Sequence, residues 1–283
     1  MPENNLTGNK KASLIISVYK KTFELDLILN ALTIQSFNEF EVIIAEDGQD
    51  AGMKILMDEW TAKNKFPVKH LIQKDKGFRK NKILNEAIRN TYTDYLIFID
   101  GDCIPHSNFI RAHVESRESG TVLCGRRVNL TKSISQKITK EIILSKDYEK
   151  VKLSEVIYSS LNKGKADFNF NIEEAFVYKN KTLRKVLTNK DEHILGCNFS
   201  IEKAQLEKIN GFDENYEGPG LGEDSDIEYR LRLIDAKFKS VRNLAIQYHL
   251  YHPKTIEEPV NMKYFNEVKK QNEYFCKNGL VKI

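Results

Sequence analysis

Tyr95-Leu96-Ile97-Phe98-Ile99-Asp100-Gly101-Asp102 is an apolar run that stops at two carboxylates separated by one glycine. Five successive apolar residues, several of them β-branched or aromatic, suit a strand buried on both faces. In an open parallel sheet, ligands gather beyond the carboxyl ends of such strands. Asp100 and Asp102 stand at such an end. Gly101 permits a sharp backbone turn, so that two hard oxygen donors can face one divalent cation of the kind that keeps waters and binds substrate phosphates. Taken alone, Asp-Gly is also a common turn with solvated carboxylates, so the rest of the chain has to decide between the two.

The same pattern recurs upstream. Ser13–Tyr19 reads as a strand, and Thr22 then caps a helical pattern with Phe23, Leu25, Leu29 and Leu32 among its apolar positions. A second strand, Phe40–Ala45, ends at Glu46-Asp47-Gly48. A helix around Ala51–Ala62, a third strand at Val68–Ile72 and a helix at Lys80–Arg89 lead to the strand that carries Asp100. This alternation with short connections predicts an α/β fold with a doubly wound, mostly parallel sheet. Asp47 and Asp100 then share one sheet edge, with a nucleotide's base and ribose near the first and its phosphates near the second. No Gly-x-Gly-x-x-Gly follows the first strand and no Gly-Lys-Ser/Thr loop is present, which disfavours a dinucleotide fold and a P-loop enzyme.

With 283 residues, 41% hydrophobic and 10% aromatic, the chain can bury a full core. Its 44 basic and 40 acidic side chains leave a formal net charge of +4, without the clustered basic stripe or readable motif of a nucleic-acid binder. Cys103, Cys124, Cys197 and Cys276 have no paired spacing, which argues against a zinc ribbon or disulfide framework and fits reduced thiols in a cytosolic protein. The polar start from Met1 to Lys11 and the lack of a spanning apolar run lead to the expectation of a cytoplasmic protein, neither secreted by an ordinary signal nor integral to a membrane.

Beyond Thr121–Gly125 the stretch 131–190 changes character, with 13 Lys or Arg against 7 Asp or Glu. Ile138–Lys152 reads as helical with a narrow apolar face. A solvated insertion explains the charge, while the sharper reading is peripheral contact with anionic lipid headgroups at the inner face of a membrane. A second chemical cluster follows: Leu195-Gly196-Cys197-Asn198-Phe199-Ser200, a short helix Ile201–Ile209, a turn at Asn210-Gly211-Phe212-Asp213, and the loop Glu217–Gly222. The loop runs into Glu223-Asp224-Ser225-Asp226 before a helix Ile227–Ala236. Acids in a first helical turn are favoured by the macrodipole, which accounts for their charge but not for their glycine-rich approach.

Together, these motifs resemble an inverting family-two glycosyltransferase of the GT-A fold, a Rossmann-like doubly wound, mostly parallel sheet with a helical insertion. The marks are Ser17-Val18-Tyr19, Glu46-Asp47-Gly48, Gly77-Phe78-Arg79-Lys80-Asn81, Asp100-Gly101-Asp102 and Gly222-Glu223-Asp224-Ser225-Asp226. The resemblance implies one domain over 1–283: a nucleotide-binding half (12–130), the basic insertion (131–190), an acceptor and catalytic half (191–256) and a helical tail (257–283). The last acidic block, with Asn210–Asp213 before it and Tyr248-His249-Leu250-Tyr251-His252-Pro253 after it, is similar to the C-terminal half shared by galactosyl- and N-acetylgalactosaminyl-transferases and chondroitin-type polymerases. In that group an aromatic residue often stands where this chain has Leu221. The Gln-x-x-Arg-Trp signature of processive synthases is missing, and the only tryptophan is Trp60, which favours transfer of a single sugar.

The resemblance assigns roles. Asp47 accepts a hydrogen bond from the uracil of a UDP-sugar donor, with Ser17, Tyr19 and Asn198 in the same nucleotide-sugar site and Arg79 reaching the base or phosphates. Asp100 and Asp102 hold Mn²⁺ or Mg²⁺ on the diphosphate, with His249 completing the metal shell and His252 as its rival. Asp224 is the general base on the hydroxyl of a saccharide or lipid-linked saccharide acceptor, and Glu223 orients the acceptor or the helix start. Asp226 reads as a helix-start cap, His106 as a helix-start residue, and Arg126-Arg127 as either donor contacts or surface. Surface polysaccharide or lipopolysaccharide assembly is the setting that the resemblance implies. Two other classes stay open: a nucleotidyltransferase, disfavoured because Val18-Tyr19-Lys20-Lys21-Thr22 has lysines but no glycines, and a sugar-nucleotide-binding module without catalysis.

Overall fold

A computed structural model describes residues 10–162, 170–178, 180, 182, 192–220, 222–253 and 259–283. Leu221 and part of the basic insertion lie outside the described residues. In chain order the strands are β1 (Ala12–Val18), β2 (Phe40–Glu46), β3 (Val68–Ile72), β4 (Tyr95–Asp100), β5 (Cys103–Pro105), β6 (Thr121–Cys124), β7 (Val128–Asn129), β8 (Phe199–Glu202), β9 (Lys237–Ser240) and β10 (Gln247–His249). The helices are α1 (Thr22–Leu32), α2 (Ala51–Lys63), α3 (Lys80–Arg89), α4 (Phe109–Ser116), α5 (Lys132–Ser135), α6 (Lys140–Leu144), α7 (Leu153–Asn162), α8 (Lys203–Ile209), α9 (Asp224–Leu233) and α10 (Pro259–Gln271).

The main sheet has the order β3-β2-β1-β4-β8-β6-β9. The first four strands are mutually parallel, as the alternation predicts, while β8 runs antiparallel to both β4 and β6. β4 is buried on both faces because successive side chains feed opposite layers. Ile97 and Ile99 join the core under α1 and α2, and Leu96 and Phe98 join the core under α3, α8 and α9. The Phe98 ring stacks on Phe199 of β8 at 4.5 Å, so the antiparallel strand is fixed by an aromatic pair as well as by its ladder.

Three expectations change. The helix expected from Ile201 starts at Lys203, because Phe199–Glu202 is spent on β8. The last acidic block enters its helix, which begins at Asp224 rather than Ile227. Ile138–Lys152 is not one helix: α6 ends at Leu144, and Lys146, at φ 61°, turns the chain into a single 3₁₀ turn at Asp147–Glu149.

A second, three-stranded sheet, in the order β5-β10-β7, stands beyond the carboxyl end of β4. Pairing of His249 with Cys103 sets β10 directly against the residue after Asp102. Two segments distant in sequence thereby meet at one edge of the main sheet.

Candidate active site

Register places the site. Ser17 is the β1 partner of Asp100, and the Gly101 amide donates to the Ser17 carbonyl at 2.7 Å. A Cβ at Gly101 would lie 2.7 Å from Val18 Cγ2, so this close turn tolerates only glycine. The chain therefore leaves β4 folded back on β1, with Asp100 and Asp102 in the crevice.

The two aspartates serve different neighbourhoods. Asp100 Oδ1 accepts from Ser17 Oγ at 2.9 Å and from Lys80 Nζ at 2.7 Å, and Lys80 Nζ also donates to Glu223 Oε1 at 2.8 Å. Lys80 thus ties the end of β4 to the start of α9. Burial pushes the Glu223 carboxyl up to about 7 against the opposing Lys80 charge, with Asp100 and Asp224 adding to the rise, and its Oε2 has no hydrogen-bond partner among the described residues. Asp224 is less enclosed: its Oδ2 accepts from the Gly196 amide at 3.2 Å and its Oδ1 from Ser225 Oγ at 3.3 Å.

Asp102 instead faces histidines. Its Oδ1 lies 3.6 Å from His249 Nε2 and its Oδ2 lies 3.4 Å from His252 Nε2, while the two Nε2 atoms are 3.2 Å apart. One donor atom from each of the three residues falls within 4.8 Å of the others. His252 Nδ1 sits 2.7 Å from the Pro253 carbonyl, so Nε2 is the nitrogen turned toward Asp102. Burial lowers the His249 pKa although Asp102 opposes it. Asp102 itself is held well below the usual carboxylate range, since His249 and Lys21 outweigh its burial. One carboxylate oxygen and two imidazole nitrogens meeting at one point make a donor set that fits a divalent cation, and the Lys21 ammonium paired with Asp102 shows that the spot favours positive charge.

The expected nucleotide residues divide. Asp47 is buried, with Oδ1 accepting from Gln73 Nε2 and Oδ2 from the Arg79 amide, both at 2.6 Å, so it organises the loop before α3. Tyr19 is half-exposed at the crevice, its hydroxyl donating to Asp75 at 3.0 Å. Arg79 folds its guanidinium onto the Lys74 carbonyl and keeps a buried Nε without a partner among the described residues.

Asn198, expected as a nucleotide-sugar contact, stands as a brace in this structure. It is fully buried, its Nδ2 donates to the Arg126 and Ala245 carbonyls at 2.6 and 2.9 Å, and its Oδ1 faces His113 Nε2 at 3.1 Å. Asp100, expected as a metal ligand, lies with Ser17 and Lys80 and outside the convergent trio. Asp226 does not cap its helix; its carboxylate accepts from Arg230 Nε at 2.8 Å and Tyr216 at 3.1 Å inside the core. Arg127 turns inward onto Asn129 and Cys197, and Arg126 onto the Gly125 and His193 carbonyls. His106 sits just before α4, as expected, with Nδ1 accepting from the Asn108 amide. Sequence reading passed over Lys21 and Lys80. The signal was a cation at a helix amino end, where the macrodipole disfavours it unless a carboxylate stands opposite.

Residues 13–201 match the family described as "Glycosyl transferase family 2". The chain belongs to glycosyltransferase family 2. Residues 185–253, which carry Glu223, Asp224, His249 and His252, also match the "N-terminal domain of galactosyltransferase". Among curated relatives, the chondroitin synthase of Pasteurella multocida (strain Pm70) is 26% identical over 223 residues, 77% of this chain and 22% of that protein. The Escherichia coli chondroitin synthase is 25% identical over 245 residues, 85% of this chain and 35% of that protein. This family-two chain therefore spans only about a fifth to a third of the length of those synthases. The uncharacterized glycosyltransferase YfnE of Bacillus subtilis is 26% identical, covering 94% of this chain and 70% of its own.

Two solved structures share the architecture. S. aureus TarS 1-349 in complex with UDP-GlcNAc gives a TM-score of 0.56 at 16% identity, covering 87% of this chain and 60% of that one. The mannosyltransferase PcManGT from Pyrobaculum calidifontis, in complex with GDP-Man and Mn²⁺, gives 0.55 at 11% identity, covering 88% and 59%. The fold is GT-A, with a mostly parallel central sheet.

Proposed function

We propose that this family-two glycosyltransferase uses Mn²⁺ or Mg²⁺ to move one sugar, with inversion, from a UDP-sugar to a saccharide or lipid-linked saccharide acceptor in surface polysaccharide or lipopolysaccharide synthesis. The observation that carries the reading is the junction at the end of β4, where the Asp102-His249-His252 trio stands beside the Asp100-Lys80-Glu223 chain and Asp224. Asp102, His249 and His252, with Asp100 nearby, would hold a divalent cation, which would supply positive charge to the departing diphosphate. Asp47, Ser17, Tyr19 and Arg79 line the crevice for the nucleotide. Asp224 takes the acceptor hydroxyl's proton as the hydroxyl attacks the anomeric carbon from the face opposite UDP. Glu223, fixed by Lys80, orients the acceptor. The UDP-GlcNAc bound by TarS supports the choice of a uridine donor, and the Mn²⁺ of PcManGT supports a divalent cation.

The test is release of free nucleotide from a panel of UDP- and GDP-sugars with Mn²⁺, in the presence and absence of EDTA. EDTA-sensitive release from one UDP-sugar is expected. With an acceptor supplied, Asp224→Asn should lower transfer by about 10²- to 10⁴-fold while UDP binding is retained. Absence of release from every donor together with absence of UDP binding would overturn the reading, and unchanged transfer by Asp224→Asn would sink the base assignment.

A further inference from the structure

The three-stranded sheet has two chemically different faces. His249 pairs with Cys103 and Asn129, whereas its neighbour Tyr248 pairs with Ile104 and Val128. Since successive side chains alternate, the His249 face serves Asp102, while Tyr248, Ile104 and Val128 back onto a separate cavity under the basic insertion. The cavity measures about 590 Å³, and its walls are largely aliphatic and aromatic, Ile134 and Phe170 among them. Its size and lining are those of a small-molecule site.

Two observations point to what fills it. Tyr248 is 4% exposed, yet its hydroxyl has no hydrogen-bond partner among the described residues. Buried hydroxyls are nearly always bonded, and the neighbouring Tyr148 hydroxyl does donate to the Pro105 carbonyl at 2.8 Å. At the rim, Lys150 is paired with Asp147 at 2.6 Å and Glu155 accepts from the Lys152 amide at 3.2 Å. The ammonium groups of Lys137 and Lys152 make no ion pair among the described residues. On α7, beside the cavity, Ile157 and Leu161 are 50% and 72% exposed, one helical turn apart.

We infer that this cavity binds the hydrocarbon chain of an anionic amphiphile, with Lys137 and Lys152 on its phosphate-type headgroup and Tyr248 donating to a ligand oxygen. An apolar chamber excludes a free sugar phosphate, and unpaired lysines at its rim suit a charged head rather than a neutral one. The exposed Ile157 and Leu161 suit a ligand that arrives from a lipid surface. A lipid-linked acceptor is a molecule of this class. That role rests on the function proposed above, whereas binding in the cavity does not.

The full chain is titrated calorimetrically with dodecyl phosphate below its micellar concentration, with dodecyl maltoside and inorganic phosphate in parallel. One dodecyl phosphate per chain is expected, about tenfold or more tighter than dodecyl maltoside, with no saturable heat from inorganic phosphate. Ile134→Trp, which narrows the chamber, should weaken binding. Lys137→Glu/Lys152→Glu, at exposed positions where folding is not at stake, should weaken it about fivefold or more. Dodecyl phosphate no tighter than dodecyl maltoside, phosphate alone binding as well as the amphiphile, or undiminished binding by the double lysine variant would each overturn the inference. EDTA-sensitive UDP release is measured on the same variants and is expected to persist. Its absence from wild type with amphiphile binding intact would count against the transferase reading and leave the cavity assignment standing.

Discussion

Lys80 is the residue on which the site's electrostatics turn. Its ammonium is enclosed between Asp100 and Glu223, which keep its pKa well above the usual lysine value despite burial. Removing it leaves two carboxylates facing each other in a poorly solvated cleft, the costly way to break a buried pair. Lys80→Met should lower stability by about 3 kcal/mol in urea unfolding. Adding Glu223→Gln should restore a good part of that loss, because the uncompensated charge goes with it, and a double variant no better than the single one would show that the pair does not govern the cost. The histidines offer a second residue-scale test. His249→Ala and His252→Ala should each weaken Mn²⁺ binding, read by calorimetry, about tenfold or more. An effect confined to His249 would remove His252 from the donor set.

At the scale of elements, a brace between α4 and β8 is as decisive as the catalytic edge. His113 is fully buried on α4, with Nδ1 at 2.7 Å from Ser200 Oγ and Nε2 at 3.1 Å from Asn198 Oδ1, and burial depresses its pKa to about 4. An unfolded histidine titrates near 6.5, so between those values the unfolded chain binds the extra proton. Stability from this group is complete above pH 6.5 and falls as pH drops, by about 3 kcal/mol once pH 4 is reached. Urea midpoints measured from pH 7 to 5 should fall, and the slope should flatten in His113→Gln; an unchanged slope would assign the acid sensitivity to other groups. The sequence reveals neither this brace nor β8. The parallel half was legible because β1, β2 and β4 are long apolar runs, the last two of them ending in acids. Phe199-Ser200-Ile201 is too short to tell a strand from a helix start, and its pairing with β4 and β6, with Phe98 stacked across from it, makes it a strand. β5, β7 and β10, at two or three residues each, carry no readable period, so the approach of His252 to Asp102 was left open and Asn198 was read as a ligand contact.

Across the whole molecule, two halves of the chain come to share one site. The segments ending β2 and β4 supply Asp47, Asp100 and Asp102, while α9 and β10 supply Glu223, Asp224 and His249; Lys80 and the Asp102-His249-His252 trio are the points of contact. No helix among the described residues is long and apolar enough to cross a membrane. A ligand that binds across both halves in the folded state stabilises the chain by mass action, by about 2.7 kcal/mol at a hundred times its Kd. For a chain of this size, with an unfolding entropy of about 2.1 cal/mol/K per residue, that corresponds to a rise of about 5 °C in Tm. Mn²⁺ and UDP added together should produce such a rise, and Mn²⁺ or UDP alone a smaller one, because the cation's donors and the nucleotide crevice lie side by side. In Asp102→Asn the joint rise should collapse to that of UDP alone, since the carboxylate is the one charged donor in the trio. A full joint rise in that variant would place the cation elsewhere in the crevice and detach Asp102 from its proposed role.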